Sequence, residues 1–170
     1  MTSSGEGRGP INVRSRQVYE LSKFILNNKY VPVTGKGKAR WNHVHVADLA
    51  DAFLLLTEAA ISGNTDKELW GAKGYLIIEN DEHVWSDVAK AVGAKAFELG
   101  YLDKKPEPKS LSKQEALDAA GFEAVSWGLN SRAKGERLSK VLGWKPSRPD
   151  LFETIDEIVK QEHADLSKSK

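Results

Sequence analysis

A chain of 170 residues is long enough for one ordinary hydrophobic core and too short for two well-stabilised ones. Its 25 Lys and Arg against 24 Asp and Glu leave a net charge of +1, which gives no electrostatic footprint for nucleic acid or an anionic membrane. With no cysteine, disulfides, thiolate nucleophiles and cysteine-ligated metals are excluded, and no apolar run approaches the roughly 18 residues of a membrane span.

In chain order, residues 1–9 (MTSSGEGRG) are Gly/Ser-rich without periodicity and are predicted to be a loop. A chain that begins in a loop and enters a helix at once reads as one that has lost elements upstream. Residues 10–28 form the first structured unit, with Val18, Leu21 and Ile25 on one helical face, Phe24 beside them and Asn27-Asn28 closing the helix. Residues 31–33 are a short strand, and Pro32 places it at an edge or bulge. Residues 42–46 are β-like. Asp48 then caps an apolar helix that Gly63 stops. Its stripe is Leu49, Phe53, Leu56 and Ala60, widened by Ala52, Leu55 and Ala59, and the helix is predicted to be buried.

Residues 64–73 read as a surface loop, and residues 74–78 (GYLII) as the best strand in the chain, ended by Glu79-Asn80-Asp81. A helix follows over residues 86–99, with Val88, Val92 and Leu99 inward and Gly100 as its stop. Residues 103–110, with Pro106 and Pro108, are extended or loop. Ser112 and Glu115 form a capping box for a short helix to Ala120. Another short helix covers residues 133–142 and stops at Gly143. The last opens at Pro149-Asp150, with Glu153 completing a cap-like pair. It runs through Leu151, Ile155, Ile158 and Val159 and frays from Asp165 to Lys170.

Few residues carry chemistry. Tyr19 and Lys23 have the Tyr-x-x-x-Lys spacing in which an ammonium lowers a phenol pKa, but such pairs are common on helices and a packing role is favoured. His43 and His45 lie on one face of a strand. A metal there would need further ligands from Asp48, Glu82 or His83, and no spacing ties these in, so a strand-end His bonding backbone or substrate is preferred. The runs Gly5-Glu-Gly7-Arg-Gly9 and Gly35-Lys-Gly37-Lys match phosphate-binding loops in composition alone and are read as turns. The five Trp show no stacking pattern with basic residues, and no Gly-x-Ser-x-Gly is present.

Gly35-x-Gly37 followed by Val44-His-Val-Ala-Asp-Leu-Ala50 resembles a segment of the extended short-chain dehydrogenases, the NAD-dependent epimerase/dehydratase family. Lys140-Val-Leu-Gly-Trp-Lys-Pro146 before a final amphipathic helix resembles their ending, and Tyr75 to Asn80 sits where the family has a strand. The resemblance covers about residues 5–162 and the C-terminal half of the family. It implies an α/β chain: the C-terminal part of a Rossmann-type fold, helix-rich with a few short strands. Residues 1–170 would be a single domain or fragment, with residues 1–9 a loop, residues 10–162 the substrate-binding subdomain plus the last Rossmann elements, and residues 163–170 a frayed tail. The family's Gly-rich NAD(P) turn and catalytic Tyr-x-x-x-Lys lie upstream of the matched part, so no catalytic residue is assigned.

Nucleotide-sugar enzymes of the family commonly carry Arg-Asp-aromatic where this chain has Trp41-Asn42-His43, which points to a smaller carbonyl or alcohol substrate. Trp41, Asn42, His45 and Arg132 are the expected substrate-binding residues, with Trp41 an apolar wall and Asn42 a hydrogen-bonding group. NAD or NADP is implied for the full-length family, with no tight binding expected here and no metal. The remaining expectations are a small-molecule substrate, no nucleic acid or membrane partner, a cytoplasmic location and an oligomer through uncovered apolar surface. The alternative is a non-catalytic scaffold that binds a partner or senses redox state.

Overall fold

The computed structural model describes residues 2–10 and 13–168. Thr2–Ser4 form β1, which pairs parallel to β3 (Arg40–His45), with Thr2 beside His43 and Ser4 beside His45. This corrects the loop expected over residues 1–9: Thr2 and Ser4 are buried, and register with a neighbour decides where a three-residue strand is too short for periodicity. β3 pairs antiparallel with β4 (Asp81–Val84), giving a three-stranded sheet in the order β1-β3-β4. A separate two-stranded parallel sheet joins β2 (Val31–Thr34) to β5 (Pro108–Leu111), so Pro32 sits where a missing N–H is tolerated.

The strands feed the helices directly. β3 runs into α2 (Val46–Ile61), and β4 into α3 (Trp85–Glu98). The α2 cap is His45, whose Nδ1 accepts from the Ala47 N–H at 3.1 Å, not Asp48 as expected. Asp48 is instead fully buried, and its carboxylate accepts from the Ser147 N–H (2.9 Å), the Ser147 hydroxyl (3.2 Å) and the Arg148 N–H (3.2 Å). Its carbonyl takes the Trp144 indole N–H at 3.1 Å. The buried charge is stabilised by several donors, which water at a helix start would otherwise supply.

The capping boxes are present. Ser112 and Glu115 bond reciprocally at the start of α4 (Lys113–Ser126), as do Asp150 and Glu153 in the turn before α6 (Ile155–Lys168). α4 outruns the expected stop at Ala120: Ala120 and Gly121 break its helical backbone, and a second helical piece continues beyond them. α5 (Arg137–Leu142) is shorter than expected and ends at Gly143. α6 stays regular to Lys168, so the frayed tail does not begin at residue 163; residues 169–170 lie outside the described residues.

Residues 74–79 form no strand. The Tyr75 carbonyl accepts from the Arg137 guanidinium (3.0 Å), and the Asn80 N–H donates to the His43 carbonyl (2.8 Å), so these groups bond outside a ladder. Strand propensity describes a fit to a pleated surface, and here no strand among the described residues lies alongside.

Two cores result. The larger joins α1 (Gln17–Asn28), α3, α4 and α6 through Val18, Leu21, Ile25, Val88, Val92, Ile158 and their neighbours. The smaller gathers Val44, Ala52, Leu69, Ile78, Leu138 and Trp144. The helix predicted to be buried is only half so: Ala52 sits in the smaller core with Leu49, Leu55 and Leu56 against it, while Phe53, Leu54, Ala60 and Ile61 are exposed.

Candidate substrate groove

Antiparallel register sets Asn42 opposite Glu82 and His43 opposite Asp81. The segment before α5 is bonded along the outer side of β3. The Ser131 N–H donates to the Arg40 carbonyl (2.9 Å), the Arg40 N–H to the Asn130 side-chain oxygen (2.9 Å), and the Ala133 N–H to Asn42 Oδ1 (2.7 Å). The Gly135 N–H donates to Glu79 Oε1 at 3.1 Å; a β-carbon at Gly135 would strike the Ile77 carbonyl, so the close approach needs glycine. Between these elements lies a cavity of about 420 Å³ lined by Asn42, Glu79, Asp81, Glu82, Arg132, Ala133 and Lys134. Lys134 also lines a neighbouring cavity of about 530 Å³ with Tyr75, Ile77, Arg137, Lys140 and Val141.

The groove is charged and internally matched. Glu82 accepts from Arg132 and from Arg40 Nη1 (2.9 Å), and these bonds, Arg132 first, hold its carboxyl below the usual range. Glu136 is drawn down to about 2 by Lys134 and Lys140, which both bond to it. Beneath the groove His43 and His83 are buried with their Nδ1 atoms 3.4 Å apart, and the His83 ring meets Trp85 edge-on at 4.8 Å.

Of the four expected substrate-binding residues, Asn42 and Arg132 line the smaller cavity and Trp41 and His45 do not. Asn42 is a scaffold residue: Oδ1 holds Ala133, and Nδ2 donates to Glu79 (3.4 Å) and the Asp81 carbonyl (3.5 Å). The Trp41 indole N–H donates to the Leu129 carbonyl (2.7 Å) and its ring packs on Trp85. His45 is taken up by its cap and lies against Gly5, whose positive φ leaves no room for a β-carbon beside the imidazole. Tyr19 is buried with its hydroxyl 3.5 Å from the Gly5 carbonyl; burial first, then the charge of Glu162, raise its pKa, the opposite of what a tyrosinate proton shuttle needs. Among the described residues no three His, Asp or Glu converge as a metal site.

No family model matches the chain. An oxidase from Acremonium, ucsJ, is 34% identical over 97% of the chain. Among solved structures, the UDP-glucose 4-epimerase of Thermotoga maritima aligns with 97% of the chain at a TM-score of 0.59 and 20% identity, covering 44% of its own length. The dTDP-glucose 4,6-dehydratase DesIV of Streptomyces venezuelae, solved with NAD and TYD bound, aligns with 98% at 0.59 and 14% identity, covering 42%. The fold is that of the C-terminal part of an extended short-chain dehydrogenase. The chain spans about half the length of the curated relative, 49%.

An extended short-chain dehydrogenase uses NAD or NADP, and the described residues do not fit the cofactor's pyrophosphate. Such a group needs a Gly-rich turn that leaves a strand and opens a helix at once. The glycines after Ser4 do follow a strand, contrary to expectation, but α1 opens only at Gln17. Gly35 and Gly37 lead to β3, and β3 and β4 enter their helices without an intervening glycine. No cofactor step is assigned to these residues.

Sequence reasoning missed Glu79, Glu82 and Lys134 in the groove. The acidic run at residues 79–82 reads as a strand terminator, yet Glu82 is cross-strand from Asn42, a relation visible only once β3 and β4 are paired.

Proposed function

We propose that residues 1–170 form the substrate-side part of an NAD(P)-dependent oxidoreductase or epimerase-like enzyme acting on a small carbonyl or alcohol compound. One observation carries the reading: the chain builds a polar groove against β3 and β4 while, among the described residues, no strand-to-helix junction offers a pyrophosphate turn. The oxidoreductase class draws support from the Acremonium relative, an oxidase by name, and the cofactor from neighbours solved with NAD or NADPH. In the groove, Arg132 and Lys134 supply donors for substrate oxygens, and Glu82 orients Arg132. Asn42 and Trp41 hold the groove's walls in place. The cavity of about 420 Å³ suits a small ligand.

The test is equilibrium binding to the purified chain. NADH and NADPH titrated to 1 mM (about −4 kcal/mol of binding free energy at that Kd) give no saturable isotherm. Small carbonyl compounds perturb the amides of residues 132–135, and Arg132→Ala abolishes this. A micromolar cofactor Kd for the chain alone, or carbonyl shifts unchanged by Arg132→Ala, overturns the reading.

A second reading, a partner-binding scaffold, is favoured by the bare apolar face of α2. Ala50, Phe53, Leu54, Thr57 and Ile61 fall on one helical stripe, and all are exposed.

A further inference from the structure

His43 and His83 face each other across β3 and β4 on a buried side of the three-stranded sheet, 3% and 2% exposed. Their Nδ1 atoms are 3.4 Å apart, their ring centroids 5.5 Å apart and their planes tilted by 40°. Among the described residues neither Nε2 has a hydrogen-bond partner, nor has the hydroxyl of Thr2, which stands beside His43 in register, nor that of Ser4 on the same side of β1. Buried polar atoms are rarely left without partners. Four of them on one side of a small sheet mark a place where the fold gives up stability.

The arrangement has a definite proton count. With both rings neutral, one Nδ1–H points to the other Nδ1 and the contact is attractive. A first added proton can sit on the donor ring's Nε2 and keep that bond, at the cost of a buried charge with no acceptor at Nε2 among the described residues, and a second sets two Nδ1–H groups head to head across 3.4 Å. The groups that face the pair are few. β4 brings Asp81, the cross-strand partner of His43, and Glu82. Glu79 and Asp150 act on His43 from the adjoining segments, β1 brings only hydroxyls, and α3 brings the Trp85 ring. For His43 burial outweighs the pull of Asp150, Asp81 and Glu79, so its pKa falls. His83 is pushed down to about 3, by burial first and then by His43.

We infer that the His43–His83 pair is an acid-release latch: the neutral pair holds β4 against β3, and a second proton parts the strands and opens the groove lined by Asn42, Asp81 and Glu82. The strands that the pair joins are the ones that build the cavity, so release at the latch is release of the groove. Both pKa values lie below the unfolded value of 6.5, so the holding contribution is complete above pH 6.5. It is lost as pH falls from 6.5 toward the folded values.

Hydrogen exchange of the whole chain at about pH 7.5 and about pH 5, corrected for intrinsic exchange rates, tests the latch. Amides of residues 40–45 and 81–84 are expected to lose protection at pH 5 by at least about tenfold more than those of α1 and α3. His83→Phe, which keeps a ring of similar size and no charge, is expected to remove that difference. A uniform change across the chain, or the same β3–β4 loss in His83→Phe, overturns the proposal. Should the variant not fold, imidazole nitrogen spectra of the unaltered chain decide alone: rings neutral at pH 6 support the latch, and rings titrating near 6.5 in the folded state overturn it. Zinc that raises the melting temperature of the unaltered chain and protects β3–β4 at pH 5 would also overturn it, in favour of a two-histidine metal site.

Discussion

Asp48 shows what a single residue can conceal. In sequence it is an acidic residue at the head of an apolar run, and a helix cap is the natural reading. In the fold it ties α2 to the 147–148 turn through three accepted hydrogen bonds and carries the Trp144 indole on its carbonyl. No local signal distinguishes the two roles, because the donors arrive about a hundred residues later in the chain. Asp48→Ala leaves two N–H groups and a hydroxyl without their acceptor and is expected to cost about 3 kcal/mol, read as a lower urea midpoint at unchanged slope. A midpoint within error of the parent contradicts the tie. Gly5→Ala is expected to destabilise by about 2 kcal/mol, since its backbone is left-handed (φ 81°) and the added carbon collides with His45. Full retention of the melting temperature would rule that collision out.

Among the elements, periodicity located the cores of α1, α3 and α6, whose buried residues fall on the expected 3.6-residue faces. It failed where pairing decides: residues 74–78 have the composition of a strand and no partner beside them, whereas the charged Asp81–Val84 is a strand because β3 receives it. α2 was legible as a helix but not in its surroundings. It is apolar on the side that packs and on the side that does not; Phe53 is 64% exposed and Ile61 82%. Such a helix is buried in a finished assembly. The chain is accordingly expected to self-associate or bind hydrophobic dyes at micromolar concentration, and Phe53→Lys with Leu54→Lys to abolish this while leaving the helical circular dichroism intact. A monodisperse parent monomer that binds no dye contradicts the expectation.

On the scale of the whole molecule, the C-terminal half of an extended short-chain dehydrogenase fold could be read from two short motifs in the right order. The groove could not, because its walls come from residues 79–82 and 132–135 brought together by β3–β4 pairing. None of the described helices is long and apolar enough to cross a membrane. Acid sensitivity is a property of the whole fold. Between pH 6.5 and about 4.5 the depressed histidines lower stability with a slope approaching 1.4 kcal/mol per pH unit for each proton taken up on unfolding, before depressed carboxyls such as Glu82 and Glu136 contribute. Urea melts at stepped pH should show this slope in the parent and about one proton less in His83→Phe. A parent with no slope above pH 4.5 argues against it.

The division of labour we propose is one in which these residues hold a small substrate and do not carry out hydride transfer. Its most direct test follows NADH and NADPH absorbance while the purified chain is offered a panel of small aldehydes and ketones. The account predicts no consumption of either cofactor above the enzyme-free rate. Protein-dependent oxidation of NADH or NADPH coupled to reduction of any of these carbonyls would contradict it.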